Sequence, residues 1–442
     1  VLPNGIMRPR RWSIALMESE DDRGAAAPAA PLMPPVAEAV AGGVPECAQS
    51  LAAPISSVTP APFPVPPRTA QNSSPAPAPR RDARPWSSDR HGDRSNDRNG
   101  TAPAYGALDL GTNNCRLLVA RPSRRGFMVV DAFSRIIRLG EGVSTTGRLS
   151  DAAMHRTIEA LKVCEGKLRK SGVVRSRLIA TQACRVAANG EEFLERVRRD
   201  VGLEIEVVCR ETEARLAVSG CAALIDGNCD LVLVFDIGGG SSELIWLDLN
   251  RSRHGWRRSM ADRIEAQHCI AAWTSLPVGV VTIAERFGGR HVDAEAFEAM
   301  VDHVSELLEP FETEHAFRSR MHNRRVHLLG TSGTVTTVAG IHLRLPRYDR
   351  NRVDGCWLKA DQVRQVTSDL LARDYEARVS EPCIGRDRAD LVLAGCAILE
   401  ALMRTWPCET LRVADRGLRE GILATLMAED GVFRPSRRDS WQ

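Results

Sequence analysis

The sequence lacks several things, and each absence excludes something. No run approaches the ~18 apolar residues that a membrane-spanning helix requires, so no membrane partner is expected. The twelve cysteines form no CxxC pair and no His/Cys cluster at zinc spacing, which leaves no disulfide framework or zinc site to read. Cys115, Cys184, Cys221 and Cys396 sit in apolar runs, where cysteine behaves as a small hydrophobe; they read as reduced core residues of a cytoplasmic protein. No excess of one charge exists either. The 59 Lys and Arg against 56 Asp and Glu leave a net charge of +3, so there is no whole-chain argument for nucleic acid and any anion preference must come from a local site. The stretch Trp12–Met17 behind Arg8, Arg10 and Arg11 is too short for a signal peptide, and acidic residues follow at once. The chain opens on Val1 rather than Met, which leaves its true start open. Residues 1–103 lack any helix or strand period. Ala25 to Pro79 is dominated by Ala and Pro, and Arg80 to Asn99 alternates Arg, Asp, Ser and Asn. This part is expected to be a disordered, solvated tail.

What is present begins with an apolar content of 43% over 442 residues, enough for real cores and for two or three domains. The organising stretch is LVLVFDIGGGSSELIWLDL, Leu231 to Leu249. It reads as a strand ending in Asp236, a turn of Gly238, Gly239 and Gly240, then Ser241, Ser242 and Glu243 opening a return strand. Such glycines allow φ > 0 and bring amides close to a ligand, a nest suited to phosphate oxygens. Asp236 and Glu243 suit a divalent cation beside them. An ordinary glycine-turn hairpin would look similar. The stretch YGALDLGTNNCRLLVA, Tyr105 to Ala120, has the same layout, with Asp109, Gly111, Thr112 and Asn113. Two such hairpins, more than a hundred residues apart, predict two similar half-domains facing one cleft.

The remaining elements fit that plan. Phe127–Phe133 reads as a third strand. Ser150 caps a helix with Met154, Ile158, Leu161 and Leu168 on one face. Leu178–Ala187 reads as a buried strand passing into a polar loop that carries Arg185, Glu191–Val201 as a helix, and Glu204–Cys209 as a strand. Glu211 and Glu213 open the next helix; either complements its dipole or points into the cleft as a general base. In the second half, Ala271–Val280 reads as the third strand, reached through the basic segment Arg251–Arg263. Helix Asp293–Glu309 follows. Then comes VHLLGTSGTVTTVAG, in which Gly330, Thr331, Ser332 and Gly333 either serve an anion or nucleotide at a helix N-terminus or simply let helix and sheet pack closely. Two or three further helices, Lys359–Arg373, Arg388–Arg404 and Leu418–Glu429, are expected to finish the second half, with Leu411–Val413 as a short strand. The expected division is a tail at 1–103, domains at 104–228 and 229–430, and a C-terminal tail at 431–442.

YGALDLGTNNCRLLVA, CRETEARLAVSG, FDIGGGSSEL, LPVGVVTIAERF, LLGTSGTVTTVAG, RADLVLAGCAILEALM and VADRGLREGIL occur in the order seen in the exopolyphosphatase / guanosine pentaphosphate phosphohydrolase (Ppx/GppA) family. The resemblance covers about residues 104–430 and is to the short form, without the extra C-terminal helical domains of longer members. It implies an α/β fold of two ribonuclease-H-like domains, as in the actin, sugar-kinase and heat-shock-chaperone superfamily. It also implies metal-dependent, usually magnesium-dependent, hydrolysis of a terminal phosphoanhydride in polyphosphate or guanosine pentaphosphate. The family's catalytic glutamate falls on Glu213, with Thr212 replacing the first glutamate of the family pair. Asp236 and Glu243, with Asp109, are implied to hold the metal. Gly111, Thr112, Asn113, Arg116, Arg185, Gly238, Gly239, Gly240 and Ser241 are implied to grip phosphate. Asn114 and Arg116 depart from the commoner serine and histidine, and Ser242 from threonine. Dimers occur in the family, so a homodimer is a possible partner state. Competing readings are a small-molecule kinase of the same superfamily, a nucleotide-dependent filament protein, and a polyphosphate or alarmone sensor without hydrolysis.

Overall fold

The computed structural model describes residues 102–123, 126–251 and 266–432. The expected tails and most of the Arg251–Arg263 segment therefore lie outside the described residues. Among those described, no helix is long and apolar enough to cross a membrane.

The first lobe runs β1 (Ala104–Leu110), β2 (Asn114–Ser123), β3 (Gly126–Ile136), α1 (Val143–Thr146), α2 (Asp151–Lys170), β4 (Val173–Ala180), α3 (Gln182–Val186), α4 (Gly190–Val201), β5 (Glu206–Val207) and α5 (Arg210–Cys221). Its sheet has the order β3-β2-β1-β4-β5. The second lobe runs β6 (Leu231–Ile237), β7 (Ser242–Asp248), β8 (Ile270–Leu276), α6 (Val280–Phe287), α7 (Ala294–His315), α8 (Phe317–Arg320), β9 (Val326–Thr331), α9 (Gly333–His342), α10 (Arg350–Val353), β10 (Trp357–Lys359), α11 (Ala360–Leu371), α12 (Tyr375–Val379), α13 (Val392–Thr405), β11 (Thr410–Ala414) and α14 (Leu418–Glu429). Its sheet has the order β10-β11-β9-β6-β7-β8. Apart from the short edge strand β10, the two orders are the same, with three antiparallel hairpin strands and then parallel strands reached by helical crossovers. This is the ribonuclease-H-like arrangement in duplicate.

Local chemistry explains most elements. Ser150 accepts from Ala153 N and starts α2, whose Met154, Ile158, Leu161 and Leu168 are buried. Asp293 does the same for α7 through Ala296 N. That helix was expected to stop at Glu309, before Pro310. It continues to His315 because Phe311 beyond the proline is buried among Phe317 and Trp406. Tertiary packing outweighs the lost amide. Two strands are shorter than expected: β5 covers only Glu206–Val207, and β8 ends at Leu276 so that Val280 can open α6. β4 is displaced, running from Val173 to Ala180, and Gln182–Val186 coils into α3.

The last helix departs from the expected division. Leu418, Ile422, Leu423, Leu426 and Met427 of α14 pack on Tyr105, Ala107, Leu118, Ala120 and Ile179 of the first sheet. Conversely, Val218, Cys221 and Ala222 at the end of α5 pack on Val232, Val234, Ile245 and Leu247 of the second sheet. Each lobe thus sends one helix to the other. The two helices cross where only glycine fits: a Cβ on Gly220 would lie 1.9 Å from Gly417 O, and one on Gly421 would lie 2.1 Å from Leu216 O.

Candidate active site

The duplicated hairpins meet tip to tip between the lobes. In each, the first glycine amide closes the turn on a carbonyl three residues on: Gly111 N donates to Asn114 O and Gly238 N to Ser241 O, both at 2.9 Å. The next carbonyls are taken by the segment after the third strand. Thr112 O accepts from Gly140 N, and Asn113 O from Ile137 N and Arg138 N. Gly238 O accepts from Val280 N and Gly239 O from Val281 N. Carbonyl oxygens repel an anion, and here they are drawn away into backbone bonds. The amides of Thr112, Asn113, Gly239 and Gly240 have no such partner among the described residues. Two rows of free donors face one cavity, the arrangement of an anion nest.

The glycines serve a different purpose from the one expected. None of Gly111, Gly238, Gly239 and Gly240 has a left-handed φ. Space restricts three of them: a Cβ on Gly238 would sit 2.7 Å from Ser241 O of its own turn, whereas one on Gly111 would meet Asn114 O only at an ordinary 3.4 Å. A Cβ on Gly239 would sit 3.0 Å from Thr112 Cβ and 3.2 Å from Asn113 Cβ; one on Gly240 would sit 3.0 Å from Thr112 Oγ1. Small turns let the two lobes close on each other.

The cavity measures about 120 Å³. It is lined by Asp109, Gly111, Thr112, Asn113, Arg116, Glu213, Asp236, Gly238, Gly239, Gly240, Ser241 and Glu243, and by Ser332 and Gly333. Besides Glu211, three of the residues singled out as candidate site residues do not line it. Gly330 is a packing residue, since a Cβ there would lie 2.5 Å from the Phe235 ring. Thr331 donates its hydroxyl to Arg416 O at 2.9 Å. Arg185 stands just behind the wall. It donates to Glu213 Oε2 at 3.1 Å, to Val208 O at 2.8 Å and to Gln182 Oε1 at 2.8 Å. Ser332 holds φ 93°, a strained value for a residue with a side chain, and its buried hydroxyl has no partner among the described residues.

The two glutamates after β5 are now distinguished. Glu211 lies at the surface and is paired with Arg215 of its own helix. Glu213, one turn face away, is 6% exposed and enters the cavity against Arg185. Burial and the charge of Glu243 push its carboxyl well above the usual range, against the pull of Arg185. Asp236 and Glu243 are directly cross-strand partners. Burial and the Glu243 charge push Asp236 up to about 7. Burial also raises Glu243, opposed by hydroxyls of Ser241 at 2.7 Å and Ser275 at 3.0 Å. Asp109 is raised by burial, with Arg116 and Arg419 opposing. Two buried carboxylates, Glu213 and Glu243, and two half-buried ones, Asp109 and Asp236, thus line one cavity.

Cations also line the far side. Arg388 borders the cavity, and Arg419 stands close enough to Arg116 and Asp109 to feel both charges. Among the described residues Arg116, Arg388 and Arg419 form no ion pair. Burial and then Arg116 depress Arg388. Unpaired, half-buried guanidiniums favour an incoming anion. The sequence reading assigned no role to Arg388, Arg419, Gln182 or Asn114, although Arg388 and Arg419 lie within the quoted RADLVLAG and LREG stretches. Among the described residues, the buried side-chain oxygens of Asn113 and Asn114 have no hydrogen-bond partner.

Fold and cleft together define a two-lobed α/β protein with one cavity lined by duplicated turns. The profile of the Ppx/GppA phosphatase family matches residues 118–430. The chain belongs to the Ppx/GppA phosphatase family. It is similar to a guanosine-5'-triphosphate,3'-diphosphate pyrophosphatase of Photobacterium profundum, with 27% identity over 334 residues, or 75% of this chain. The chain spans 61% of that relative's length. Among solved structures, the Aquifex aeolicus Ppx/GppA family member is 28% identical, with TM-score 0.58 over 74% of this chain and 98% of that one. An exopolyphosphatase from Cytophaga hutchinsonii, 23% identical, shares the fold with TM-score 0.63 over 74% of this chain and 98% of its own.

Proposed function

We propose that this chain hydrolyses terminal phosphoanhydride bonds and releases orthophosphate from inorganic polyphosphate or guanosine pentaphosphate. The observation that carries this is Glu213, a buried carboxylate held by Arg185 and facing two rows of unpaired backbone amides. The terminal phosphoryl group sits between the Gly111–Asn114 and Gly238–Ser241 turns. Their amides hold its oxygens, and Arg116 and Arg388 meet the next phosphates. Glu213 orients a water and takes its proton as the water oxygen bonds to phosphorus and the bridging oxygen leaves with the shortened chain. Arg185 keeps the carboxylate aimed and favours its ionised form.

The donor set suits a small divalent cation. Among the described residues no three His, Cys, Asp or Glu side chains converge as a full protein cage. Magnesium does not need one, because it is bound by one or two carboxylates together with substrate phosphates and water. Asp236 and Glu243 would hold it, with Asp109 across the cleft. A magnesium ion so bound supplies charge neutralisation on the phosphoryl oxygens.

The test is phosphate release, with magnesium, from long polyphosphate and from guanosine pentaphosphate side by side, for wild type and Glu213→Gln. The expected result is release that falls by about 10²- to 10⁴-fold in the variant. Undiminished release in the variant would mean that Glu213 is not the base. No release from either substrate by the wild type would overturn the proposal.

A further inference from the structure

Two polar contacts cross the cleft mouth, far apart in sequence, and both end on the segments that hold the phosphate turns. The first is Arg138, just after β3. Its guanidinium grips Asp390 of the second lobe through both nitrogens, at 3.0 and 3.1 Å, and donates to Asp387 O at 3.2 Å. The second is Glu285 of α6. One carboxylate oxygen accepts from Gly142 N at 2.8 Å, and the other from the Ser144 hydroxyl, both in the first lobe.

Each contact is wired to a turn. Arg138 N donates to Asn113 O at 3.1 Å, so the residue that reaches across also holds the first turn. Its φ of 47° is left-handed, a strained conformation for an arginine. Arg156 of α2 steadies the same bend through Ile137 O at 3.1 Å and Arg138 O at 3.3 Å. On the other side, α6 carries Glu285 and also presents Val280 N and Val281 N to the second turn. Asp390 lies two residues after Arg388, which lines the cavity. Beneath these contacts is a crevice of about 180 Å³ lined by Asn113, Arg138, Glu285 and Asp390 among others. The lobes are therefore joined here by polar bridges over a gap rather than by a packed apolar interface. Arg138 and Asp390 keep 32% and 22% of their side chains exposed, so water reaches the pair from the crevice side.

We propose that Arg138–Asp390 and Glu285 with Gly142 and Ser144 form an interlobe latch that fixes the distance between the two phosphate turns. Arg138, Asp390 and Glu285 are positioning residues. When the latch opens, the turns separate and the cleft admits or releases a polyanion. When it closes, both rows of amides reach one phosphoryl group. The kinetic part of this rests on the hydrolase reading above; the distance part does not.

The experiment measures the distance between the lobes by pulsed electron paramagnetic resonance. Spin labels are placed on non-canonical residues at the exposed positions Glu192 and Gln365. Arg138→Gly removes the guanidinium and relieves the backbone rather than straining it. Glu285→Ala removes the second bridge, and the exchange Arg138→Asp with Asp390→Arg rebuilds the first in reverse. Each single change should broaden the distribution towards longer distances, and the exchange should restore the narrow one. With polyphosphate as substrate, KM should rise by about 10-fold or more in the single variants, because small misplacement of binding groups is costly. The exchange should recover most of that loss. An unchanged distribution in both single variants, or no restoration by the exchange, overturns the latch. If the wild type releases no phosphate while the distances shift as described, the latch stands and the hydrolase reading falls.

Discussion

The two hairpins place different residues at one register position. Seven residues after the strand-ending aspartate, the first lobe has Arg116 opposite Asp109 and the second has Glu243 opposite Asp236. Both pairs sit directly across an antiparallel ladder, beside turns closed by the same 2.9 Å bond. The first lobe thus balances its aspartate with an arginine, whereas the second leaves two acids facing each other. Under the proposed function the backbone repeat provides the grip twice, and the difference at this one position divides the labour into an anion side and a cation side.

The strongest way to break this division is to make the second hairpin copy the first. Glu243→Arg should abolish magnesium-dependent phosphate release. The loss should exceed the ~10- to 100-fold that disturbing a metal ligand's partner costs. A magnesium titration should show no saturable activation, while circular dichroism stays native. The reverse change is milder. Arg116→Gln leaves Asp109 buried without its nearest opposing charge and removes one phosphate contact. We expect KM for polyphosphate to rise by about 10- to 100-fold, as for a charge-assisted bond of ~1.5–3 kcal/mol, with kcat much less affected. Equal losses of kcat and kcat/KM would show instead that Arg116 acts only in the transition state.

Much of this was legible in the residues. Each Asp-x-Gly turn between apolar runs declares its hairpin, and the repeat of that pattern declares the duplicated sheet. Glu213 could be reached because it lies in a motif, yet only the fold shows that Glu211 is spent on Arg215. Other features had no local signal. The turn glycines read as sites of positive φ, but what crowds Gly239 and Gly240 is the opposite turn, contributed by a segment more than a hundred residues away. The unpaired state of Arg388 and Arg419 is a property of their surroundings and not of their sequence. The crossing of α14 to the first sheet depends on Gly220 and Gly421 meeting backbone of distant residues.

That crossing sharpens the comparison from the stability side, because α5 carries Glu213 and α14 anchors in the opposite lobe. Gly421→Ala forces a methyl onto Leu216 O, and helix–helix overpacking of this kind costs ~1–3 kcal/mol. The urea midpoint should fall accordingly, by more than for an alanine at the open Gly166, where no atom lies within 4 Å. Equal midpoints would mean that the crossing yields freely.

The smallest expected effect contrasts the far ends of the same strands. Four residues before the strand-ending aspartate, Tyr105 pairs with Arg175 in the first lobe and Val232 with His327 in the second. Arg175 stays charged and bridges Glu429 and Asp430 at the surface. His327 is 2% exposed; its Nε2 accepts from Asp226 N at 3.3 Å, and Nδ1 faces Leu328 O at 3.0 Å. Burial lowers its pKa, with Arg412 also lowering it and Asp226 and the Leu328 carbonyl opposing. The folded state therefore prefers the neutral ring, and the unfolded chain takes up the proton first. The resulting stability is fully present above the ordinary histidine value of ~6.5 and is lost as pH falls below it towards the depressed folded value. Amide exchange should then rise around Asp226 and in β9 as pH falls below ~6.5, before β1 and β4 respond, once intrinsic rates are corrected for pH. His327→Gln, which cannot titrate, should remove that asymmetry; if the second lobe still loosens first, the acid sensitivity lies in another group.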